Sequence, residues 1–212
     1  MIRVLLLIIG YALGLIQGGY IVGRVCGVDI RKKGSGNSGT TNAMRVLGRK
    51  AGIIVFVIDL LKSMIPCIIV RVIFSKSEPD YALVYMLWLA LGVVLGHNYP
   101  FYLGFKGGKG IASTSGYILA FDLRISAVCL VAFIGLVKGT KYVSVGSLAV
   151  VSIFMVMSII FALTGLLSVG AAAIPEFIIL VVIMTALAFY QHRANIGRLM
   201  NGTENKIGHH AE

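Results

Sequence analysis

Residues 111–137 read IASTSGYILAFDLRISAVCLVAFIGLV, and the fold turns on how many times this stretch crosses a membrane. A spanning helix needs about 20 mostly apolar residues, so the stretch is long for one crossing and short for two. Asp122-Leu123-Arg124 sits near its middle, a poor place for two charges if the helix faces lipid. A tight hairpin of two short helices would bring that tripeptide to a surface instead.

Outward from the hairpin, the stretches 2–22, 52–74, 81–96, 143–164 and 174–190 are each apolar enough to cross. Residues 1–23 stay hydrophobic for longer than a signal-peptide core and lack a small-x-small cleavage pattern, so they read as a first spanning helix. Loop charge then tests the parity. Residues 24–50 carry seven Lys or Arg against Asp29, which suits the cytoplasmic side, whereas Lys76 is balanced by Glu78 and Asp80, which suits the outside. Lys106 and Lys109 bring the chain back inside. With a hairpin, Lys138 and Lys141 are inside, the 165–173 turn without Lys or Arg is outside, and the tail from His192 is inside. A single pass inverts those last three. The expected fold is therefore an all-α polytopic membrane protein. It has seven transmembrane helices, a short helical hairpin around 111–137, the N-terminus outside and the C-terminus cytoplasmic. Residues 1–212 form one integral-membrane domain.

Composition agrees. Of 212 residues, 58% are hydrophobic and 13% charged, with a mean hydropathy of +0.94. A soluble domain is usually just under half apolar, with about a quarter of its residues charged. The net charge of +11 would suit a nucleic-acid partner. The basic residues, however, sit in short loops between apolar runs, which is the positive-inside pattern. Lipid is the expected partner and nucleic acid is not. Cys26, Cys67 and Cys129 are odd in number, far apart and without a C-x-x-C, so they read as small apolar fillers. No metal or cofactor is expected, and the protein is read as a monomer.

Three polar segments fall on the cytoplasmic side of this topology. The first is Gly34-Ser35-Gly36-Asn37-Ser38-Gly39-Thr40-Thr41-Asn42-Ala43-Met44-Arg45. Its glycines let backbone N–H groups close around an anion, and its Ser, Thr and Asn side chains add donors. A helix starting near Thr41 puts Asn42 and Arg45 on one face, with Arg45 able to fork onto phosphate. A flexible Gly/Ser connection is the plainer alternative.

The second runs from Gly96-His97-Asn98-Tyr99-Pro100 through Phe105-Lys106-Gly107-Gly108-Lys109-Gly110 to Ser113. A glycine-rich, doubly basic loop opening a helix is a ready phosphate cradle, although the spacing is not that of a P-loop. Its lysines would also serve as plain headgroup anchors, but anchoring needs no glycines. The third is His192-Arg193-Ala194-Asn195-Ile196-Gly197-Arg198, where His192, Asn195 and Arg198 recur every third position along one side. Within the apolar runs, Asp59 and Lys62 lie three apart. Each costs about 2.5–3.5 kcal/mol at a helix centre, so they are expected to pair and face the bundle interior. Ser144 and Ser147 repeat the i, i+3 spacing on the helix that opens beside Lys141, either as packing residues or as donors to a substrate carbonyl.

These segments resemble the three signature motifs of the PlsY family, bacterial membrane acyl-phosphate:glycerol-3-phosphate acyltransferases. The family patterns S-G-N-x-G-x-T-N-x-x-R, G-H-x-x-P-x-x-x-x-F-x-G-G-K-G and H-x-x-N-I-x-R-L-x-x-G-x-E match from Ser35 to Arg45, from Gly96 to Gly110 and from His192 to Glu204. Gln191 stands where the family often has Arg, and Ser113 where Thr is common. The resemblance implies a multi-pass protein of the bacterial cytoplasmic membrane with its active site on the cytoplasmic side. It further implies acyl transfer from acyl phosphate to the 1-hydroxyl of sn-glycerol 3-phosphate, giving lysophosphatidic acid and phosphate. The H-x-x-x-x-D motif of other glycerolipid acyltransferases is absent, since His97 and His192 are followed at that spacing by Tyr102 and Gly197.

On that resemblance, Ser35, Arg45, Ser144, His192 and Asn195 form the catalytic group, with Ser144 as the oxyanion donor. Asn37, Gly39, Thr40, Thr41, Asn42, His97, Lys106, Gly107, Gly108, Lys109, Gly110 and Arg198 surround substrate phosphate. Asp59, Lys62, Ser147 and Glu204 support them. The general base is open between His192, whose ordinary pKa of about 6.5 permits it, and an oxygen of the acyl phosphate. The substrate oxygen is favoured, because no carboxylate or second His lies beside His192 in the sequence. A covalent acyl-Ser35 route is a third option. A small transporter of phosphorylated solutes is the rival from another class, and it would need midplane polar residues on several helices.

Overall fold

A computed structural model describes residues 1–207; the His209-His210 pair, to which no role is assigned, lies outside the described residues. The described chain is helical, with no strand among the described residues. Ten α-helices follow in order: α1 Ile2–Gly14, α2 Gly18–Val25, α3 Thr40–Leu47, α4 Arg49–Ser77, α5 Ala82–Asn98, α6 Ile111–Phe121, α7 Leu123–Thr140, α8 Val143–Leu163, α9 Ile174–Gln191 and α10 Arg193–Met200. Six stretches, Ile2–Val25, Arg49–Ser77, Ala82–Leu103, Leu123–Thr140, Val143–Leu163 and Ala171–Gln191, are long and apolar enough to cross a membrane. The outer surface of this bundle is apolar: Ile8, Ile54, Ile69, Val131 and Ile179 are all more than half exposed. That arrangement is stable only with hydrocarbon as the solvent.

The 111–137 stretch does reverse at Asp122, but unevenly. At 11 residues α6 rises about 16 Å, half the hydrocarbon thickness, while α7 is long enough to cross. Both ends of the reversal are capped. The Asp122 carboxylate accepts the Arg124 and Ile125 amides at 2.9 and 3.2 Å, opening α7. Arg71 of α4 donates to the carbonyls of Ala120 and Phe121, both at 2.8 Å, closing α6.

At the centre lies α5, apolar all round, with every residue except Trp88 and Leu95 buried. It packs tightly on α1 through two Gly-x-x-x-Gly pairs. A Cβ on Gly10 or Gly14 would strike the Leu89 or Val93 carbonyl, and one on Gly92 or Gly96 would strike that of Leu7 or Tyr11. Arg3 of α1 forms a two-point ion pair with Glu176 of α9 at 2.5 and 2.7 Å, and Trp88 donates to the same carboxylate at 2.7 Å. Phe121, Phe154 and Phe177 close the core around α6, with ring centroids 5.1 and 6.0 Å from Phe121.

One expectation needs correction. The 2–22 span is not a continuous helix; it breaks at residues 15–17 between α1 and α2. A break in a dry interior frees carbonyls that must find donors. Buried Gln17 donates to Gly14, Gly96 and His97 carbonyls at 3.2, 3.3 and 3.1 Å. Lys62 donates to Ile16 O at 2.6 Å, and Asp59 Oδ1 accepts the Gly18 amide at 3.2 Å. The Asp59–Lys62 pair itself closes at 2.8 Å inside the bundle, as the cost of burying each alone requires.

Candidate active site

The first polar loop is organised by one side chain. The Asn42 amide donates to the carbonyls of Ile30, Lys33 and Asn37 at 2.8, 3.1 and 2.9 Å, and its Oδ1 accepts the Ser35 amide at 2.8 Å. Its polar capacity is therefore used inside the loop, which makes Asn42 a holder of the loop rather than the phosphate donor expected. Asn37 Oδ1 likewise takes the Gly39 amide at 2.9 Å. The loop leads into α3, whose first turn carries Thr40 and Thr41. Thr40 Oγ1 is buried with no partner among the described residues. Arg45, one turn on, reaches the same cavity.

The second loop folds back on the end of α5. Gly107 N–H donates to Asn98 O and Gly108 N–H to His97 O, both at 3.1 Å. Those two amides close the loop and are not free for phosphate, a correction to the cradle as expected. Gly108 has a steric role instead, because a Cβ there would collide with the His97 imidazole at Nε2. Lys106 is exposed and does not line the cavity, whereas Lys109 and Gly110 do.

In the third segment Glu204 is the hub. Its Oε1 accepts Asn195 Nδ2 at 2.6 Å and Ser144 Oγ at 3.0 Å, and its Oε2 accepts Arg198 Nε at 2.7 Å. Asn195 passes the chain on by accepting from Lys109 Nζ at 2.5 Å. Ser144, expected as the donor to the acyl carbonyl, thus gives its proton to Glu204. Ser147 gives its own to Val143 O at 2.9 Å and stays in its helix. His192 is buried and donates Nδ1–H to Ala188 O at 2.8 Å, which leaves Nε2 as the free lone pair.

These elements surround one cavity of about 490 Å³. One part of its wall is polar: Ser35, Thr40, Arg45, Lys109, His192 and Arg198, with Asp59 and His97 also reaching it. The other part is apolar, from Phe56, Leu60, Ile118, Leu130, Phe133 and Val150. Burial, aided by the positive charges of Arg198 and Arg45 and opposed by Glu204, pushes Lys109 down to about 8. Burial also takes His192 down to about 4, with Lys109 adding to the effect. Burial tends to raise the Glu204 carboxyl, but hydrogen bonds from Asn195, Arg198 and Ser144 outweigh it and hold it below the usual carboxylate range. The cavity therefore joins a cationic, donor-rich end to an apolar wall.

Residues 4–202 match the family model for glycerol-3-phosphate acyltransferase. The chain belongs to that family. A glycerol-3-phosphate acyltransferase of Clostridioides difficile is 41% identical over 99% of this chain and 97% of its own length. One from Shouchella clausii is 41% identical over 94% and 93%. Among solved structures, the glycerol 3-phosphate form of PlsY, an integral membrane glycerol 3-phosphate acyltransferase, superposes with a TM-score of 0.82 at 33% identity, covering 97% of this chain and 96% of that one. Its lysophosphatidic acid form gives 0.78 at the same identity. For a glycerol-3-phosphate acyltransferase, a cavity with both a cationic end and an apolar wall is what the chemistry asks for. One substrate is a small phosphate, and the other carries a hydrocarbon chain.

Several participants in this glycerol-3-phosphate acyltransferase fold lie outside the three polar segments. Gln17 was visible as a lone amide within an apolar run, a pattern that marks an intramembrane partner. The two Gly-x-x-x-Gly pairs were visible as a helix-packing motif. Phe56, Leu130 and Phe133 carried no signal, since an apolar residue facing a groove and one facing lipid look alike in sequence.

Proposed function

We propose that the protein transfers an acyl group from acyl phosphate to the 1-hydroxyl of sn-glycerol 3-phosphate, releasing phosphate and lysophosphatidic acid. The observation that carries this is the single cavity in which Arg45, Lys109 and Arg198 meet an apolar wall. Arg45, Lys109 and Asn195 hold glycerol 3-phosphate, with Ser35 near its rim. The first turn of α3, with Thr40 Oγ1 unpartnered, takes the phosphate of the acyl donor. The hydroxyl oxygen attacks the acyl carbon, the bond from that carbon to the phosphate oxygen breaks, and phosphate leaves with the electron pair. The hydroxyl proton goes to a phosphate oxygen of the donor. A His192 held near 4 is a poor general base at neutral pH, because a base works best with a pKa near the operating pH. Its free Nε2 serves to align the hydroxyl. Because the mixed anhydride is already activated, positioning and charge neutralisation carry most of the rate.

The same reading puts the motif end of the bundle, with its Arg- and Lys-rich loops, on the cytoplasmic side of a bacterial inner membrane. The N-terminus is then outside, α6 counts as a seventh, partial crossing, and the chain works as one domain and as a monomer. The test uses purified protein in lipid with glycerol 3-phosphate and either acyl phosphate or acyl-CoA, scored for lysophosphatidic acid and released phosphate. Product from acyl phosphate alone is expected. Product from acyl-CoA only would overturn the donor, and no product with either would favour transport of phosphorylated solutes.

A further inference from the structure

Beside the cavity, buried Lys62 does more than pair with Asp59. Its Nζ lies 2.6 Å from Ile16 O, 2.8 Å from Asp59 Oδ1, 2.8 Å from His97 Nδ1 and, farther off, 3.3 Å from Gly14 O, which also accepts from Gln17. A buried carboxylate at 2.8 Å calls for a full positive charge beside it. The ammonium then has three hydrogens for its three nearest neighbours and no lone pair to offer. His97 Nδ1 must therefore be the acceptor. Asp59 Oδ1 also faces that edge of the ring, but at 3.5 Å from Nδ1 it is the more distant partner, and the ammonium at 2.8 Å takes the position. With Nδ1 occupied, the ring proton sits on Nε2, at the edge turned to Gly108 and the cavity. Among the described residues Nε2 has no hydrogen-bond partner.

His192 is the mirror case. Its Nδ1 faces the Ala188 carbonyl, so its proton is on Nδ1 and its lone pair on Nε2. Two histidines on one cavity are thus set to opposite tautomers by what each Nδ1 touches: His97 offers a donor and His192 an acceptor.

We propose that Lys62 is a positioning residue of the acyltransferase, which acts from inside the membrane by fixing His97 as an Nε2–H donor to a phosphate oxygen of a substrate. This rests on the cavity being the site of acyl transfer. The helix break at residues 15–17 gives Lys62 a structural task as well, through Ile16 O, so loss of activity in a Lys62 variant would prove nothing alone.

The test reads the tautomers directly. Protein carrying 15N-labelled histidine in lipid should give an Nε2–H signal that disappears in His97→Gln and an Nδ1–H signal that disappears in His192→Gln. An Nδ1–H tautomer at His97 in the unaltered protein overturns the proposal before any variant or substrate is needed. Lys62→Met, if folded, should give a mixed tautomer at His97 and raise KM for whichever substrate's phosphate His97 meets by about 10- to 100-fold, the range for losing a hydrogen bond to a charged group. An unchanged tautomer in that variant overturns the proposal.

Should Lys62→Met fail to fold, substitutions at His97 decide. Gln places an amide donor where Nε2–H lay and should keep KM within about threefold, whereas Asn places it at the Nδ1 position and should lose about tenfold or more. Equal losses sink the idea. Adding glycerol 3-phosphate or acyl phosphate, each alone, should move the Nε2 proton downfield with one of them and so identify which phosphate it meets. No movement with either refutes the contact. Because the tautomers need no turnover, a failed acyl-transfer assay with both tautomers as expected would count against the donor reading and not against this one.

Discussion

Replacing Glu204 by Gln should move the pH dependence of glycerol 3-phosphate binding in a direction set by Lys109. The two groups are joined through Asn195, which accepts from Lys109 Nζ at 2.5 Å and donates to Glu204 Oε1 at 2.6 Å. Their charges are then roughly 6 Å apart, and Coulomb's law at an effective dielectric of about 20 gives about 3 kcal/mol. Water in the open cavity cuts that by half or more, leaving about one pH unit. Lys109 starts near 8, with Glu204 as the group that holds it up against burial and against Arg198 and Arg45. Only the charged lysine binds phosphate well, so KM should be flat from about pH 7 to 8 and rise about tenfold per unit above that. A phosphate monoester has its second pKa near about 6 and is about nine-tenths dianionic by about pH 7, so the ligand adds no inflection near 8. In the Gln variant the inflection should fall to about pH 7. Below it KM should stay level or drop, because a negative charge that opposed the phosphate is gone. Initial rates at saturating acyl phosphate, measured from pH 6.5 to 9.5, would check this. An inflection that stays put or moves up would refute the account of Lys109.

Three further outcomes follow from the geometry. His192→Gln should keep kcat within about tenfold if a donor phosphate oxygen is the base, whereas a loss of about 10²–10⁴ with KM intact would make His192 the base. Gly108→Ala drives a methyl into the His97 ring and should raise KM for the substrate whose phosphate His97 meets, at an overpacking cost of about 1–3 kcal/mol. Gly197→Ala in α10, which meets open space, is the matched control and should change little. Arg71→Met should lower thermal stability by about 1–3 kcal/mol, because the Ala120 and Phe121 carbonyls lose their donor. Its KM for glycerol 3-phosphate should be unchanged, since those contacts lie at the opposite end of α6 from Lys109 and Gly110. A shifted KM with intact stability would contradict that separation.

The opposite fates of Lys109 and Lys106 mark where sequence stopped informing the site. Both stand in one basic, glycine-rich motif, and nothing local distinguishes them. Lys109 meets Asn195 across 86 residues of chain, while Lys106 remains at the surface. In the same way the glycines at 107 and 108 promised free amides, and the loop closed on the carbonyls of His97 and Asn98 instead. Glu204 was expected as a supporting residue, and it proves to organise Ser144, Asn195 and Arg198 together.

The amino-acid sequence by itself determined whatever depends on the solvent and on local spacing. Apolar runs too rich for a soluble core required lipid. The two charges at Asp122 and Arg124 required a turn at 111–137, and the cost of a lone intramembrane charge required Asp59 and Lys62 to pair. These follow from transfer energies and helical periodicity, which a short window of sequence contains. Only the tertiary structure decided that the hairpin is uneven, that the first span breaks at residues 15–17, and that Lys62 faces His97. Each of those rests on a partner distant in the chain, 46 residues for Ile16 and 35 for His97. Hydrogen-bond donors carry no label for the acceptor they will meet; packing around α5 chooses it.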